Sequence, residues 1–170
     1  MTPAALLTDA LSRVLETVEA VLDGLGDDVL VERPGPDANT IAWLVWHLTR
    51  VQDDHIADVA GTGQVWTDDR YAERFDLPFD PHDIGYGHTT EQVGQVRAAA
   101  GPLLDYYRAT HARTLAFVDT VTPDDLDRVV DTRWDPPVTL GVRLVSVVND
   151  CTQHAGQAAY VRGLLGGDRT

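Results

Sequence analysis

The chain has 170 residues, of which 44% are hydrophobic and 24% are charged, a composition typical of one globular domain, expected here over residues 1–170. Thirteen basic against twenty-seven acidic residues give a formal net charge of −14, which opposes binding to nucleic acid or to anionic lipid. All thirteen basic residues are arginines, so chemistry that needs a Schiff-base lysine is excluded. The single cysteine excludes an internal disulfide. With neither a signal-peptide pattern nor a long apolar run, we expect a cytoplasmic protein.

Apolar residues recur every three or four positions in the first half of the chain, which predicts two amphipathic helices. The first covers residues 3–25. The second runs from Ile41 to about Ala60, with Asn39 or Thr40 as its cap. Residues 61–89 have no such period and contain prolines, glycines and aromatic residues. We expect either a functional loop or an ordered crossover between helices there.

The second half of the chain predicts two further long helices. The third runs from Thr89 or Thr90 to about Val121, with a possible jog at Gly101-Pro102, and the last covers residues 139–165. A short helix start follows Thr122, and no segment shows a strand pattern. We therefore predict an all-α protein, a four-helix bundle with a long irregular connection after the second helix.

Three polar side chains on the predicted helices are candidates for a metal site. His47 lies between apolar residues in the middle of the second helix, so it faces the core. Asp150 and His154 lie four residues apart, on one face of the last helix. Two imidazoles and a carboxylate can hold Zn, Ni, Mn or Fe while leaving positions open, with ligand atoms within about 4 Å of one another. The alternative is that these are hydrogen-bonded core residues.

The segment AWLVWHLTRVQDDH, followed about a hundred residues later by NDCTQHAGQAAYVRGLL, resembles the DinB-like superfamily. The resemblance covers nearly the whole chain and implies a four-helix bundle in up-down-down-up order with a metal site inside it. The two runs look most like an actinobacterial branch related to mycothiol-dependent maleylpyruvate isomerase and to thiol transferases.

The superfamily pattern has one histidine on the second helix and two histidines four residues apart on the last. His47 matches the first ligand and His154 the third, followed by Gly156-Gln157 of the motif. Asp150 stands where the second histidine is expected, and Ala155 replaces an arginine of the motif. The substitution at Asp150 either changes the metal preference or marks the loss of tight binding.

The resemblance implies an activity and a co-substrate. A divalent metal held by His47, Asp150 and His154 would activate a low-molecular-weight thiol such as mycothiol for attack on a small electrophile. Gln157 is expected to hydrogen-bond a ligand or the substrate, and is our candidate catalytic residue. The alternative is a stress protein that binds metal or a small molecule without turnover. We expect a small-molecule substrate, neither nucleic acid nor membrane as partner, and a possible homodimer.

Several other residues have two interpretations. His55 and Trp66 are candidates for binding the thiol cofactor, at the pocket mouth and as a wall in a loop. Cys151 is either a metal ligand in place of Asp150 or a packed small hydrophobe. The arginines at positions 50, 143 and 162 either receive carboxylates of the thiol or lie in solvent beside acidic residues.

Overall fold

Helices dominate the computed structural model of the protein, in which residues 1–166 are described. In chain order they are α1 (Pro3–Leu22), α2 (Asp27–Leu30), α3 (Ile41–Ala60), α4 (Val65–Asp68), α5 (Tyr71–Phe75), α6 (Thr90–Gln95), α7 (Ala100–Val118) and α8 (Leu140–Leu164). A 3₁₀ turn (Asp124–Asp127) and two strands, β1 (Val129–Asp131) and β2 (Val138–Thr139), connect α7 to α8. None of the helices in this described part has the length and apolarity that crossing a membrane requires.

Threonine side chains begin the helices that matter most for the site. The Thr40 hydroxyl accepts a hydrogen bond from the Trp43 amide at 3.1 Å, and Thr139 caps α8 in the same way. At the other end of α3, Gly61 adopts a left-handed conformation with φ 67°, which closes the helix. The bounds predicted for these two helices are confirmed to within a residue.

The four long helices, α1, α3, α7 and α8, form the bundle in up-down-down-up order. The α8 residue Arg162 donates to the carbonyl of Val21 at the end of α1, whereas Leu7 near the start of α1 packs with Leu140, so α1 and α8 are parallel. His47 early in α3 meets His154 late in α8, so that pair is antiparallel. Glu19 at the end of α1 pairs with Arg108 of α7, while the other ends of the two helices meet, so α7 also runs down.

The structure differs from the sequence prediction in each half of the chain. The first helix ends at Leu22 rather than at residue 25. The predicted third helix is two helices, because residues 96–99 interrupt it, and Pro102 is tolerated within the first turn of α7. The segment predicted to have no strands contains β1 and β2, which form an antiparallel pair joined by a loop with a cis Asp135-Pro136 bond. Such a short pair has too few residues for an alternating pattern.

The irregular segment 61–89 is ordered, and two buried residues of α3 hold it. The Arg50 guanidinium donates to the carbonyls of Pro81 and Asp83 at 3.1 and 3.2 Å. The Asp53 carboxylate accepts hydrogen bonds from the backbone N–H groups that begin α4, at 2.9 and 2.8 Å. Arg50 is fully buried, so the prediction that it lies in solvent is wrong. The three guanidinium nitrogens donate four hydrogen bonds in all, to acceptors 14–56 residues away along the chain.

Candidate metal centre

Three of the predicted ligands come together between α3 and α8. One ligand atom each from His47, Asp150 and His154 lies within 4.8 Å of the other two. Ligands of one ion lie within about 4 Å of one another, so these side chains need to approach by roughly 1 Å to share it. His47 is buried and the other two are half-buried, so the cluster sits at the edge of the core with a path to solvent.

The ring of His47 is fixed on two sides. Its Nδ1–H donates to the carbonyl of Ile84 at 2.5 Å, which leaves Nε2 as the ring nitrogen for a metal. The indole of Trp43 stacks on the ring, with centroids 4.6 Å apart and planes inclined by 11°. Burial lowers the pKa of His47, although the bond to Ile84 opposes the shift. His47 is therefore neutral at physiological pH, the state that binds a metal.

A glycine allows the loop carbonyl to reach His47. Gly85 has φ +87°, and a Cβ built there would lie 2.9 Å from Nδ1 of His47 and 2.9 Å from the ring of Trp46. Real side chains essentially never approach so closely, and an L residue is strained at this φ. The loop after α5 therefore needs glycine at this position to orient the imidazole.

Asp150 and His154 face each other across one turn of α8. The His154 Nε2 lies 3.6 Å from Asp150 Oδ1, and its Nδ1–H donates to Gln157 Oε1 at 3.0 Å. Burial alone would lower the pKa of His154, but the hydrogen bond and the charge of Asp150 outweigh it and raise the pKa. The second carboxylate oxygen, Oδ2 of Asp150, is buried and has no hydrogen-bond partner within residues 1–166.

This arrangement fits a divalent metal. Each imidazole donates one N–H to a fixed acceptor and presents its other nitrogen, as metal-bound histidines do. The unpartnered oxygen of Asp150 is a hard anionic donor, and a buried carboxylate oxygen is seldom left unpaired. Two imidazoles and one carboxylate suit Zn, Ni, Mn or Fe, and leave positions open for a further ligand.

The three other predicted site residues lie in different surroundings. Gln157 orients His154, and its catalytic role stays a prediction. His55 lies two turns beyond His47 on α3, with Nδ1 3.4 Å from Arg143, and its contact with a thiol also stays a prediction. Trp66 belongs to α4 rather than to a loop, which corrects the predicted placement. Trp66 is 4% exposed, and the Arg50 guanidinium lies 5.0 Å from its ring centroid. Its role as a wall of the thiol-binding site stays a prediction.

Two groups near the site depart from the sequence interpretation. Arg143 is mostly buried and pairs with Asp131 at 3.0 Å, so it does not lie free in solvent. Cys151 is buried with Sγ 3.6 Å from the Leu48 carbonyl, and burial raises the pKa of its thiol strongly. Of the two interpretations of Cys151, the structure supports the packed small hydrophobe.

A series of hydrogen-bonded side chains lies behind His47, and the sequence pattern does not predict it. The Trp43 indole N–H donates to Nδ1 of His88 at 3.1 Å, and the His88 Nε2–H donates to Asp83 at 3.0 Å. His88 is thus buried between aromatic rings although it belongs to a loop. Its distance of 45 residues from Trp43 leaves no local pattern that predicts the contact.

The up-down-down-up bundle, with candidate metal ligands on its second and fourth long helices, places the chain in the DinB-like class of proteins. The family model described as mycothiol-S-transferase matches residues 6–167, and the chain belongs to that family. The crystal structure of a conserved protein from Enterococcus faecalis is similar, with a TM-score of 0.91 and 33% sequence identity over 99% of each chain. The comparison with curated proteins gives no match.

Proposed function

We propose that the protein is a divalent-metal-dependent transferase or isomerase that activates a low-molecular-weight, mycothiol-like thiol for attack on a small electrophile. The convergence of His47, Asp150 and His154 within 4.8 Å carries this proposal. Membership of the mycothiol-S-transferase family supports the choice of thiol. The open coordination positions expected of a two-histidine, one-carboxylate set leave room for the sulfur.

Three residues of the chain would hold the metal ion, and other groups orient the two imidazoles. His47 and His154 would hold the ion through Nε2, and Asp150 through its unpartnered Oδ2. A metal bound there supplies one function, the lowering of the pKa of a coordinated thiol. The Ile84 carbonyl and Gln157 keep the two imidazoles in the tautomer that presents Nε2.

The thiol must come from a small molecule, because the chain has no suitable sulfur nucleophile of its own. Cys151 is its only cysteine, and the side chain is fully enclosed. Burial raises the pKa of this thiol, so the thiolate is not available near neutral pH. Cytoplasmic location and a small-molecule partner belong to this proposal as well.

Thiol consumption tests the proposal. Full-length protein supplemented with Zn, Ni, Mn or Fe is mixed with mycothiol and the electrophile monobromobimane, and the loss of free thiol is followed. Wild type should accelerate the loss, and His154→Ala should reduce the rate at least about 100-fold, more than loss of a supporting partner costs. The control His82→Ala, at an exposed loop position, should keep the wild-type rate.

Two outcomes contradict the proposal. Equal rates for wild type and His154→Ala would remove the site from the reaction. Stoichiometric metal without any acceleration by wild type, for any of the four metals, would favour the non-catalytic binding protein instead. Circular dichroism on each variant shows whether a lost rate reflects lost folding.

A further inference from the structure

An apolar cleft of about 370 Å³ lies beside the candidate metal centre. The loop at 34–39, α3 and the last turns of α8 line it. Its volume falls within the roughly 300–1,000 Å³ typical of small-molecule sites. Its lining includes the side chains of Pro34, Leu44, Gln157, Tyr160, Val161 and Leu164.

The cleft is joined to the metal centre through both helices that carry ligands. Gln157 lines the cleft and accepts the hydrogen bond of His154 at 3.0 Å, so one side chain touches both places. Leu44 lines the cleft from α3, one turn before His47. A molecule seated in the cleft therefore contacts the side chain that orients His154.

The chemistry of the lining selects what the cleft can hold. Within the described part of the chain, its lining contains no Asp, Glu, Lys, Arg or His side chain. The polar groups among its lining side chains are the amides of Asn39 and Gln157 and the hydroxyl of Tyr160. A charged ligand entering the cleft would lose hydration without gaining a counter-charge.

The opposite side of the metal centre has the contrary character. There Arg143 lies 3.4 Å from His55 and 3.0 Å from Asp131, and Asp54 lies 3.6 Å from His55. Because α3 and α8 are antiparallel, these charged groups and the apolar cleft lie on opposite sides of His47 along the two helices. The charged groups therefore lie away from the cleft, whose own lining is uncharged.

We propose that the cleft binds the uncharged alkyl or aryl part of the electrophile, which rests on the proposed function and specifies its substrate class. Tyr160 and Leu164 are 69% and 54% exposed, and a seated ligand covers this apolar surface. The gain is proportional to the apolar area removed from water, so longer neutral chains bind more tightly until the cleft is full.

The test is a binding titration that needs neither metal nor thiol. Isotope-labelled full-length protein is titrated with neutral 1-alkanols from butanol to octanol, and the side-chain amide signals of Gln157 and Asn39 are followed by NMR. The Kd should fall about fourfold for each added methylene. Octanoate should bind at least about tenfold more weakly than octanol, since the cleft has no cation to pair with the carboxylate.

Matched variants locate the binding. Leu164→Asp and Tyr160→Ala should each raise the Kd for octanol severalfold or more, because they remove apolar lining. Val145→Asp is the control, since Val145 is 63% exposed on the same helix but outside the cleft, and it should leave the Kd unchanged. Both positions are exposed, and if one variant fails to fold, the other still tests the binding site.

Three results would overturn the inference. One is a Kd independent of chain length, and another is equal binding by wild type and Leu164→Asp. The third is a wild-type dimer, seen by sedimentation, that Leu164→Asp converts to monomer while octanol fails to bind, since a second copy would then cover the cleft. Because no thiol is consumed in this titration, its failure is distinguishable from failure of the proposed activity.

Discussion

Two polar clusters lie one turn apart on α3, and they differ in how completely their atoms are hydrogen-bonded. In the cluster of Arg50 and Asp53, each guanidinium nitrogen and both carboxylate oxygens have partners. In the cluster around His47, the carboxylate oxygen Oδ2 of Asp150 is buried and unpartnered among residues 1–166. The described residues therefore supply hydrogen-bond partners for the charged groups of the first cluster. They supply none for one carboxylate oxygen of the second cluster.

This difference separates a structural role from a binding role. A fully hydrogen-bonded buried network fixes the backbone that it touches, and here it fixes the segment 61–89 against α3. That segment then delivers the Ile84 carbonyl to His47. A buried carboxylate oxygen without a partner costs free energy unless a ligand completes it. The Arg50–Asp53 cluster thus holds the backbone in place, and the histidine–carboxylate cluster is the candidate site for an ion.

Removal of the carboxylate from the structural cluster should have the largest effect on stability. Asp53→Ala removes the negative charge that lies 3.8 Å from buried Arg50, and it leaves the N–H groups at the start of α4 without their acceptor. We expect a loss of about 3–5 kcal/mol in the free energy of unfolding, measured with urea. The control Asp9→Ala, which removes an exposed pair with Arg13, should give no measurable change. Equal stability of the two variants would contradict the structural role.

Loss of the amide that orients His154 should weaken metal binding and leave stability unchanged. Gln157 is exposed, so Gln157→Leu removes an acceptor without creating a cavity. We expect metal affinity to fall by about 10–100-fold in a competition titration with a chelator. Gln157→Glu keeps an acceptor at the same position and should retain most of the affinity. Unchanged affinity in Gln157→Leu would show that the hydrogen bond does not support the site.

A third cluster, Asp131 with Arg133 and Arg143, should have the smallest effect, and one that depends on pH. Several interactions hold the pKa of Asp131 well below its usual range, and the hydrogen bond from the Arg133 side chain has the largest effect. A depressed pKa stabilises the fold above the unfolded value of about 3.9, and this contribution fades as pH falls below it. The Tm difference between wild type and Asp131→Asn should therefore shrink between pH 6 and pH 3. A constant difference would contradict the ion pair.

Three of the long helices and the positions of the three candidate ligands follow from local sequence patterns, whereas the break at residues 96–99 before α7 does not. The period of apolar residues and the capping threonine predict α3 to the residue, and His47 stands at a core position of that period. The spacing of Asp150 and His154 places both on one face of α8. Local signals of this kind need no knowledge of the tertiary fold.

The remainder of the site depends on contacts between distant residues. Ile84 and His88 reach α3 from a loop more than 35 residues away, and two of the four hydrogen-bond partners of Arg50 are loop carbonyls. A backbone carbonyl is present at every position, so the sequence contains no signal for which one is used. The sequence also favours a surface position for Arg50, because arginines are rarely buried.

Metal binding at the histidine–carboxylate cluster is the central claim, and metal content measures it most directly. Untagged protein from cells supplemented with Zn, Ni, Mn and Fe is analysed by mass spectrometry beside His47→Ala, His154→Ala and the control His82→Ala. We expect close to one ion per chain in wild type and in the control, and loss of the ion in both ligand variants while their helical content is retained. A folded wild type without metal, or ligand variants that keep it, would contradict the account.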